Sequence, residues 1–261
     1  GVPGLRPSDL LAGGFLDVSK VSIPQADEHM HLLSNAVMRL SSNKTPLPRL
    51  WYFPEFRKTM FILTGDSDGS SLALINQLQA EVKARGGNWS LYMTDWSSSA
   101  DVQGWVSQGT DVGWHMFWPS APSGYQAWYD TYTAILNQFQ STYGFSPTTI
   151  RHHAIVWSDG AWIDYAASPA IEQAHGVSLD LNYYHYSAPS GWLNPGDGFK
   201  NGWMTGSGIP MKFADQNGTI YDVYQVNTNF PDETWGSFAS SGLDAATVAA
   251  SFFNKSNNGF Y

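Results

Sequence analysis

The chain has 261 residues, a formal net charge of −9, only 13% charged side chains and no cysteine. An acidic chain with few charges lacks the basic surface that nucleic-acid binding requires, and without cysteine it forms neither disulfides nor thiolate metal sites. No apolar run reaches the roughly 18 residues that a membrane span needs. Aromatic residues make up 15% of the chain, and they can fill a core or stack on sugar rings.

Residues 1–57 are expected to form an N-terminal arm or cap that packs on the main domain. Apolar residues spaced three to four apart predict an amphipathic helix from Ala26 to Leu40. Low charge and abundant small polar residues, tryptophan and tyrosine are typical of an exported protein. We therefore expect an extracellular or periplasmic location.

From Lys58 onward, strand and helix patterns alternate. The predicted strands are 60–64, 89–93, 111–117, 148–157 and 177–183. The predicted helices centre on 74–82, 102–106, 125–139 and 161–175, the last interrupted at Pro169. This alternation indicates an α/β domain over residues 58–261, built on a parallel sheet or barrel.

The rhythm changes towards the end of the chain. Two predicted strands, 211–213 and 220–226, flank Asn217-Gly218, which is a favoured hairpin turn. Residues 259–261 resemble the start of another strand. Because a barrel requires that strand, we expect the C-terminus to be cut short.

Two carboxylates directly follow the first predicted strand, in the run Thr-Gly-Asp-Ser-Asp-Gly at 64–69. Alternating positions of an extended segment point the same way, so Asp66 and Asp68 can both face one site. Two anions so close repel each other unless one is protonated or a cation lies between them. The structural alternative is an Asx-turn that caps the following helix.

Later strands carry further candidates, namely His115, Arg151, His152, His153 and Asp180. The carboxyl ends of parallel strands meet at one edge of a sheet, so acids and histidines from separate strands can surround a divalent cation. Such a site keeps a position open for water. Only one of His152 and His153 can face it, because adjacent strand residues point in opposite directions.

In order and spacing, these motifs resemble the polysaccharide deacetylase family, the carbohydrate esterases with NodB homology. The similarity covers residues 58–184 and includes Gly113-Trp114-His115. It implies an irregular, seven-stranded (β/α) barrel, here with an N-terminal arm and a C-terminal hairpin insertion. It also implies a divalent metal, commonly zinc, that activates water to remove N- or O-acetyl groups from a polysaccharide.

The resemblance also implies roles for individual residues. Asp66 is the expected catalytic base and Arg151 orients or neutralises it, while Asp180 completes the catalytic set. The aromatic residues expected to stack on the polysaccharide are Trp157, Tyr183 and Tyr184.

The metal ligands implied by the resemblance are Asp68 and His115. The family has a second histidine four residues after the first, where this chain has Pro119, and His153 is the expected substitute. The opening motif also differs, because Ser67 separates two acids that are adjacent in the family.

Two other functions fit the same residues. A glycoside hydrolase on a similar barrel would pair Asp66 or Asp68 with Asp159 or Asp180, about 5–10 Å apart, without a metal. A catalytically silent glycan-binding domain would keep the barrel and the aromatic side chains.

Overall fold

The computed structural model describes residues 11–12, 15–16, 25–42, 55, 57, 60–116, 124–153, 167–184, 210–215, 217–228 and 250. These contain five helices: α1 Gln25–Ser41, α2 Leu72–Ala84, α3 Ser99–Ser107, α4 Gly124–Tyr143 and α5 Ala167–Ala174. The first strands are β1 Leu11–Ala12, β2 Phe15–Leu16, β3 Thr64–Asp66, β4 Ser90–Met93 and β5 Asp111–Met116. The remaining strands are β6 Thr149–His152, β7 Leu179–Tyr184, β8 Met211–Ala214 and β9 Ile220–Thr228. No helix in these ranges is long and apolar enough to cross a membrane.

Seven of the strands form one sheet, in the order β3-β4-β5-β6-β7-β9-β8. All neighbouring pairs are parallel except β8 and β9, which are antiparallel. The expected α/β class is therefore confirmed. Among the described strands β3 and β8 are the edges and the sheet is not closed, so the barrel stays a prediction.

The hairpin of β8 and β9 is confirmed as predicted around Asn217-Gly218. Gly218 has φ +85°, which favours glycine, and Asp215 Oδ1 accepts hydrogen bonds from the backbone N–H groups of Asn217 and Thr219, both 2.8 Å long. The structure adds that β9 pairs in parallel with β7, with Leu179 opposite Tyr224. The hairpin is thus part of the main sheet rather than an insertion beside it.

The main core lies on the face of the sheet that the helices cover. Strand residues at alternating positions point into it, and four helices supply the opposing side chains. The strand contribution includes Leu91, Met93, Val112, Trp114 and Ile150. The helical contribution includes Ile75 and Val82 of α2, Trp105 of α3, Trp128, Tyr132 and Phe139 of α4, and Ile171 of α5.

The opposite face carries a second, smaller cluster made by Tyr92, Leu181 and Val226. Tyr92 is fully buried, and its hydroxyl donates a 3.0 Å hydrogen bond to Thr149 Oγ1. Its ring lies over Gly113 of the neighbouring strand. Both faces of the sheet therefore bury side chains.

The predicted strand 60–64 was wrong in its start, whereas the helix predicted from Ala26 to Leu40 is confirmed. The run 60–63 precedes β3 rather than forming it, and its side chains are exposed. Helix α1 forms where it was predicted, but its apolar residues Met30, Leu33, Val37 and Leu40 are also exposed. Exposure of both segments shows that apolar character alone did not identify the core.

The buried face of α2 includes a polar residue. Leu74 and Leu78 are exposed, whereas Ile75 and Gln79 are buried. Gln79 is stable there because its side-chain carbonyl accepts hydrogen bonds from Trp89 Nε1 and from Thr110 Oγ1, the latter 2.6 Å long. A polar residue with satisfied hydrogen-bond partners therefore takes part in the interface between α2 and the sheet.

Pro169 is the third residue of α5 as described, and residues 161–166 of the predicted helix, on which the predicted interruption depends, lie outside the described residues. In the first turn a backbone N–H has no helical partner, so proline removes no hydrogen bond there.

We expect Gly113→Ala to destabilise the fold. The added Cβ would lie 2.7 Å from both the Thr149 carbonyl oxygen and Tyr92 Cε1, and such overpacking costs about 1–3 kcal/mol. Thermal unfolding should therefore shift downwards by about 2–4 °C for each kcal/mol lost. The matched control is Gly104→Ala in α3, where nothing lies within 4 Å of the new methyl group. That change should stabilise the fold by about 0.5–1 kcal/mol. Equal melting temperatures for the two variants would contradict the close packing of Tyr92 and Thr149 on Gly113.

Candidate metal centre

Five polar side chains from three strands converge at the carboxyl edge of the sheet. Asp66 ends β3 and Asp68 lies in the turn that follows it. His115 is the penultimate residue of β5, Arg151 lies directly opposite it in β6, and His153 follows that strand. The parallel register from β3 to β6 therefore brings together the groups that the sequence placed at separate strand ends.

Asp66, Asp68 and His115 could hold a metal ion. His115 Nε2 lies 3.5 Å from Asp68 Oδ1 and 3.7 Å from Asp66 Oδ2. Two ligands about 2.1 Å from a tetrahedral metal are separated by about 3.4 Å, so the spacing fits a cation between them. The exposed fraction of the side chain rises from 3% for His115 to 16% for Asp66 and 52% for Asp68. The site is thus buried at its base and open towards solvent at Asp68.

The orientation of the His115 ring is fixed by a hydrogen bond to the backbone of β6. Its Nδ1 lies 3.0 Å from the backbone carbonyl oxygen of Arg151. A carbonyl oxygen only accepts hydrogen bonds, so Nδ1 carries the hydrogen and the neutral ring turns its Nε2 lone pair towards the two carboxylates. Burial lowers the pKa of His115 from 6.5 to about 4, which keeps the ring neutral at pH 7. Three electron-rich atoms therefore face one another, an arrangement that a cation relieves.

Arg151 distinguishes the two carboxylates. Its Nε lies 3.3 Å from Asp66 Oδ2, and its Nη1 donates a 3.3 Å hydrogen bond to Thr64 Oγ1. Guanidinium is charged at every working pH, so it offsets the charge of Asp66 and holds it in place. The role of Thr64 was missed, since only its position at the strand end could have indicated it.

His153 approaches the other carboxylate. Its Nε2 lies 4.0 Å from Asp68 Oδ1, and its ring lies edge-on to His115 with centroids 5.4 Å apart. His152 points to the opposite face and is buried beside Tyr132. The prediction that only one of the two histidines faces the site is confirmed, and the residue is His153.

The capping alternative for the acid pair is wrong. The N-cap of α2 is Ser71, whose hydroxyl oxygen accepts a hydrogen bond from the backbone N–H of Leu74. Asp68 instead has φ +36°, in the left-handed region that costs a non-glycine residue free energy. This conformation directs its carboxylate to the histidines rather than to the helix.

The structure does not bring Asp180 to this site. Asp180 pairs in register with Ile150, so it shares the helix-covered face, whereas Arg151 points the other way. It is fully buried there beside Glu172 of α5. Its expected catalytic role is corrected accordingly, because the sheet separates it from Asp66.

Glu172 belongs to a buried polar cluster that sequence reasoning missed. Its Oε1 accepts a 3.1 Å hydrogen bond from the Tyr132 hydroxyl, which also contacts His152 Nε2. His152 Nε2 is itself 3.6 Å from Glu172 Oε1. Burial raises the pKa of Glu172 well above its ordinary value of 4.5, and the charge of Asp180 raises it further. The two acids therefore keep a proton between them in the folded protein.

The remaining expectations concern the aromatic residues and the paired acids of a glycoside hydrolase. Tyr183 and Tyr184 lie in β7, whereas Trp157 and Asp159 fall outside the described residues. A pairing of Asp66 or Asp68 with Asp180 across a sugar does not fit, because Asp180 occupies the other face.

No family model matches the chain, and no curated protein matches it significantly. The likeness to polysaccharide deacetylases therefore rests on the motifs alone.

We expect the stability of the fold to fall as pH rises, through Glu172. Below pH 4.5 folded and unfolded chains both hold the proton, whereas above it only the unfolded chain releases it. The free energy of unfolding then falls by up to about 1.4 kcal/mol per pH unit until the pKa of the folded state is reached. Glu172→Gln is neutral at every pH and should lose this part of the slope in melting curves between pH 5 and 8.

The control is Glu81→Gln on the solvent-exposed face of α2, where Glu81 pairs with Arg85. It should keep the slope of the unmodified protein. An identical pH slope for the unmodified protein and Glu172→Gln would contradict a proton held at this pair.

Proposed function

We propose that this protein is a metal-dependent hydrolase that removes acetyl groups from a polysaccharide. The observation that carries the proposal is the face-to-face arrangement of the His115 Nε2 lone pair and two carboxylate oxygens. Imidazole nitrogen and carboxylate oxygen are donors that zinc accepts, so zinc is the proposed ion. An acetylated polysaccharide is proposed from the motif resemblance, and an exported protein would meet such a substrate outside the cell.

The distances favour a division of labour between the two acids. Asp68 is the carboxylate that lies near both histidines, so Asp68, His115 and His153 are the proposed ligands. Asp66 is the carboxylate held by Arg151, so it is the proposed general base. A divalent cation bound there would polarise the acetyl carbonyl and lower the pKa of water.

The residues of the chain supply the remaining chemistry. Asp66 accepts the proton of the attacking water, and its position against Arg151 keeps the carboxylate aimed while it does so. The backbone carbonyl behind His115 Nδ1 keeps the ring in the ligating tautomer. The exposed side of Asp68 leaves access for a substrate from solvent.

We further propose that the sheet is part of a (β/α) barrel. Its parallel strands follow chain order from β3 to β7, whereas doubly wound sheets reverse their order at a switch point. The helices α2 to α5 all pack on one face. The other face nevertheless buries Tyr92 and Leu181, which closure of the sheet would explain.

The first test is zinc binding. After treatment with a chelator, the protein should take up about one equivalent of zinc in isothermal titration calorimetry. His115→Ala should weaken binding by at least about 100-fold, because loss of an outer-shell partner alone already costs roughly 10–100-fold. His29→Ala, which removes an exposed histidine of α1, is the control and should bind like the unmodified protein. Absence of zinc binding by the unmodified protein would exclude the proposed function.

The second test is acetate release from acetylated chito-oligosaccharides and acetyl-xylan. Asp66→Asn should lower kcat by about 10²–10⁴-fold, the usual contribution of a general base, while weakening zinc binding less than Asp68→Asn does. The control is Asp130→Asn on the solvent-exposed face of α4, where Asp130 accepts a hydrogen bond from Gln126, and it should leave kcat unchanged. Full activity of Asp66→Asn would refute its assignment as the base.

A further inference from the structure

We propose that Ser67, which lies between the two acids, is the positioning residue of the metal centre. The inference rests on the proposed function, since it concerns the same site. Ser67 is 5% exposed although it lies in a turn at the edge of the sheet. A buried hydroxyl there needs a partner, and the partner identifies its role.

That partner is Thr94, at the carboxyl end of β4. The Thr94 backbone N–H donates a 2.8 Å hydrogen bond to Ser67 Oγ, and the two hydroxyl oxygens lie 3.0 Å apart. The Ser67 backbone N–H also donates to the Tyr92 carbonyl oxygen, at 2.8 Å. Ser67 is therefore anchored to β4 by its backbone and by its side chain.

The anchor matters because of where β4 lies. It separates β3, which carries the acids, from β5, which carries His115. Attachment of the turn to β4 fixes the carboxylates relative to the histidine two strands away. Without it, the position of Asp68 would depend on the turn alone, whereas Asp66 is also held by the pairing of β3 with β4 and by Arg151.

The turn itself would not hold that geometry. Asp68 has φ +36° and Gly69 has φ +73°, so two consecutive residues lie in the left-handed region. A non-glycine residue persists in that conformation when its surroundings impose it. The bonds from Ser67 to β4 supply such a constraint immediately before Asp68. They therefore keep both carboxylates in the arrangement that faces His115.

The proposal is tested with Ser67→Ala and the conservative Ser67→Thr, which retains the hydroxyl. Ser67→Ala should weaken zinc binding by roughly 10–100-fold, as loss of a supporting group around a metal does, and should alter the visible spectrum of the cobalt-substituted protein. Ser67→Thr should restore both properties to within a few-fold. The control is Ser141→Ala, at an exposed serine of α4 whose hydroxyl donates to the Gln138 carbonyl oxygen of the same helix. This change should alter neither zinc affinity nor the cobalt spectrum.

The outcomes separate this inference from the proposed function. If the unmodified protein binds no zinc, the function and the inference both fail. If it binds zinc and Ser67→Ala binds equally well with an unchanged cobalt spectrum, only the inference is overturned, even if melting is lower. Should Ser67→Ala not fold, the zinc affinities of Thr94→Val, which lacks the hydroxyl, and Thr94→Ser, which retains it, are compared instead. Loss of the Thr94 hydroxyl should weaken zinc binding about fivefold, the worth of one hydrogen bond, and equal affinity would overturn the inference.

Discussion

The candidate centre depends on one electrostatic constraint, the approach of an imidazole lone pair to two carboxylate oxygens. His115 Nε2 lies within 3.7 Å of both acids while its Nδ1 is engaged by a backbone carbonyl. With the ring neutral, no hydrogen is available on Nε2 to relieve the repulsion. Arg151 offsets the charge of one carboxylate, Asp66, through its Nε. A divalent cation would satisfy all three at once.

Parallel pairing is what makes this constraint possible. Strands β3, β5 and β6 each contribute one or two groups at their carboxyl ends, and the register from β3 to β6 brings those ends together. Because side chains alternate, the same strands bury Trp114 and aliphatic residues on the helix-covered face. The rigid core on one face thereby positions the polar groups on the other.

A second set of ionisable groups lies on the helix-covered face, and it serves a different purpose. Glu172 and Asp180 are fully buried, and the Tyr132 hydroxyl bonds to the glutamate. A protonated carboxyl is far cheaper to bury than a charged one, which accounts for the raised pKa of Glu172. The two faces thus illustrate opposite solutions for paired acids: a shared proton in the dry layer, and a proposed cation at the open edge.

The sequence by itself determined the α/β class, most of the strands and helices, the hairpin, and the set of polar groups at the strand ends. Those conclusions follow from local periodicity and turn chemistry, which need no knowledge of neighbours. Alternation also required Arg151 and His153 to share a face that His152 does not. Tertiary structure decided which residues meet. Asp180 could not be placed relative to Arg151 until the register of β7 against β6 was known, and the buried side of α2 depended on hydrogen bonds from Trp89 and Thr110 to Gln79. Both are long-range contacts, and a pattern along one segment carries no information about its partner's register.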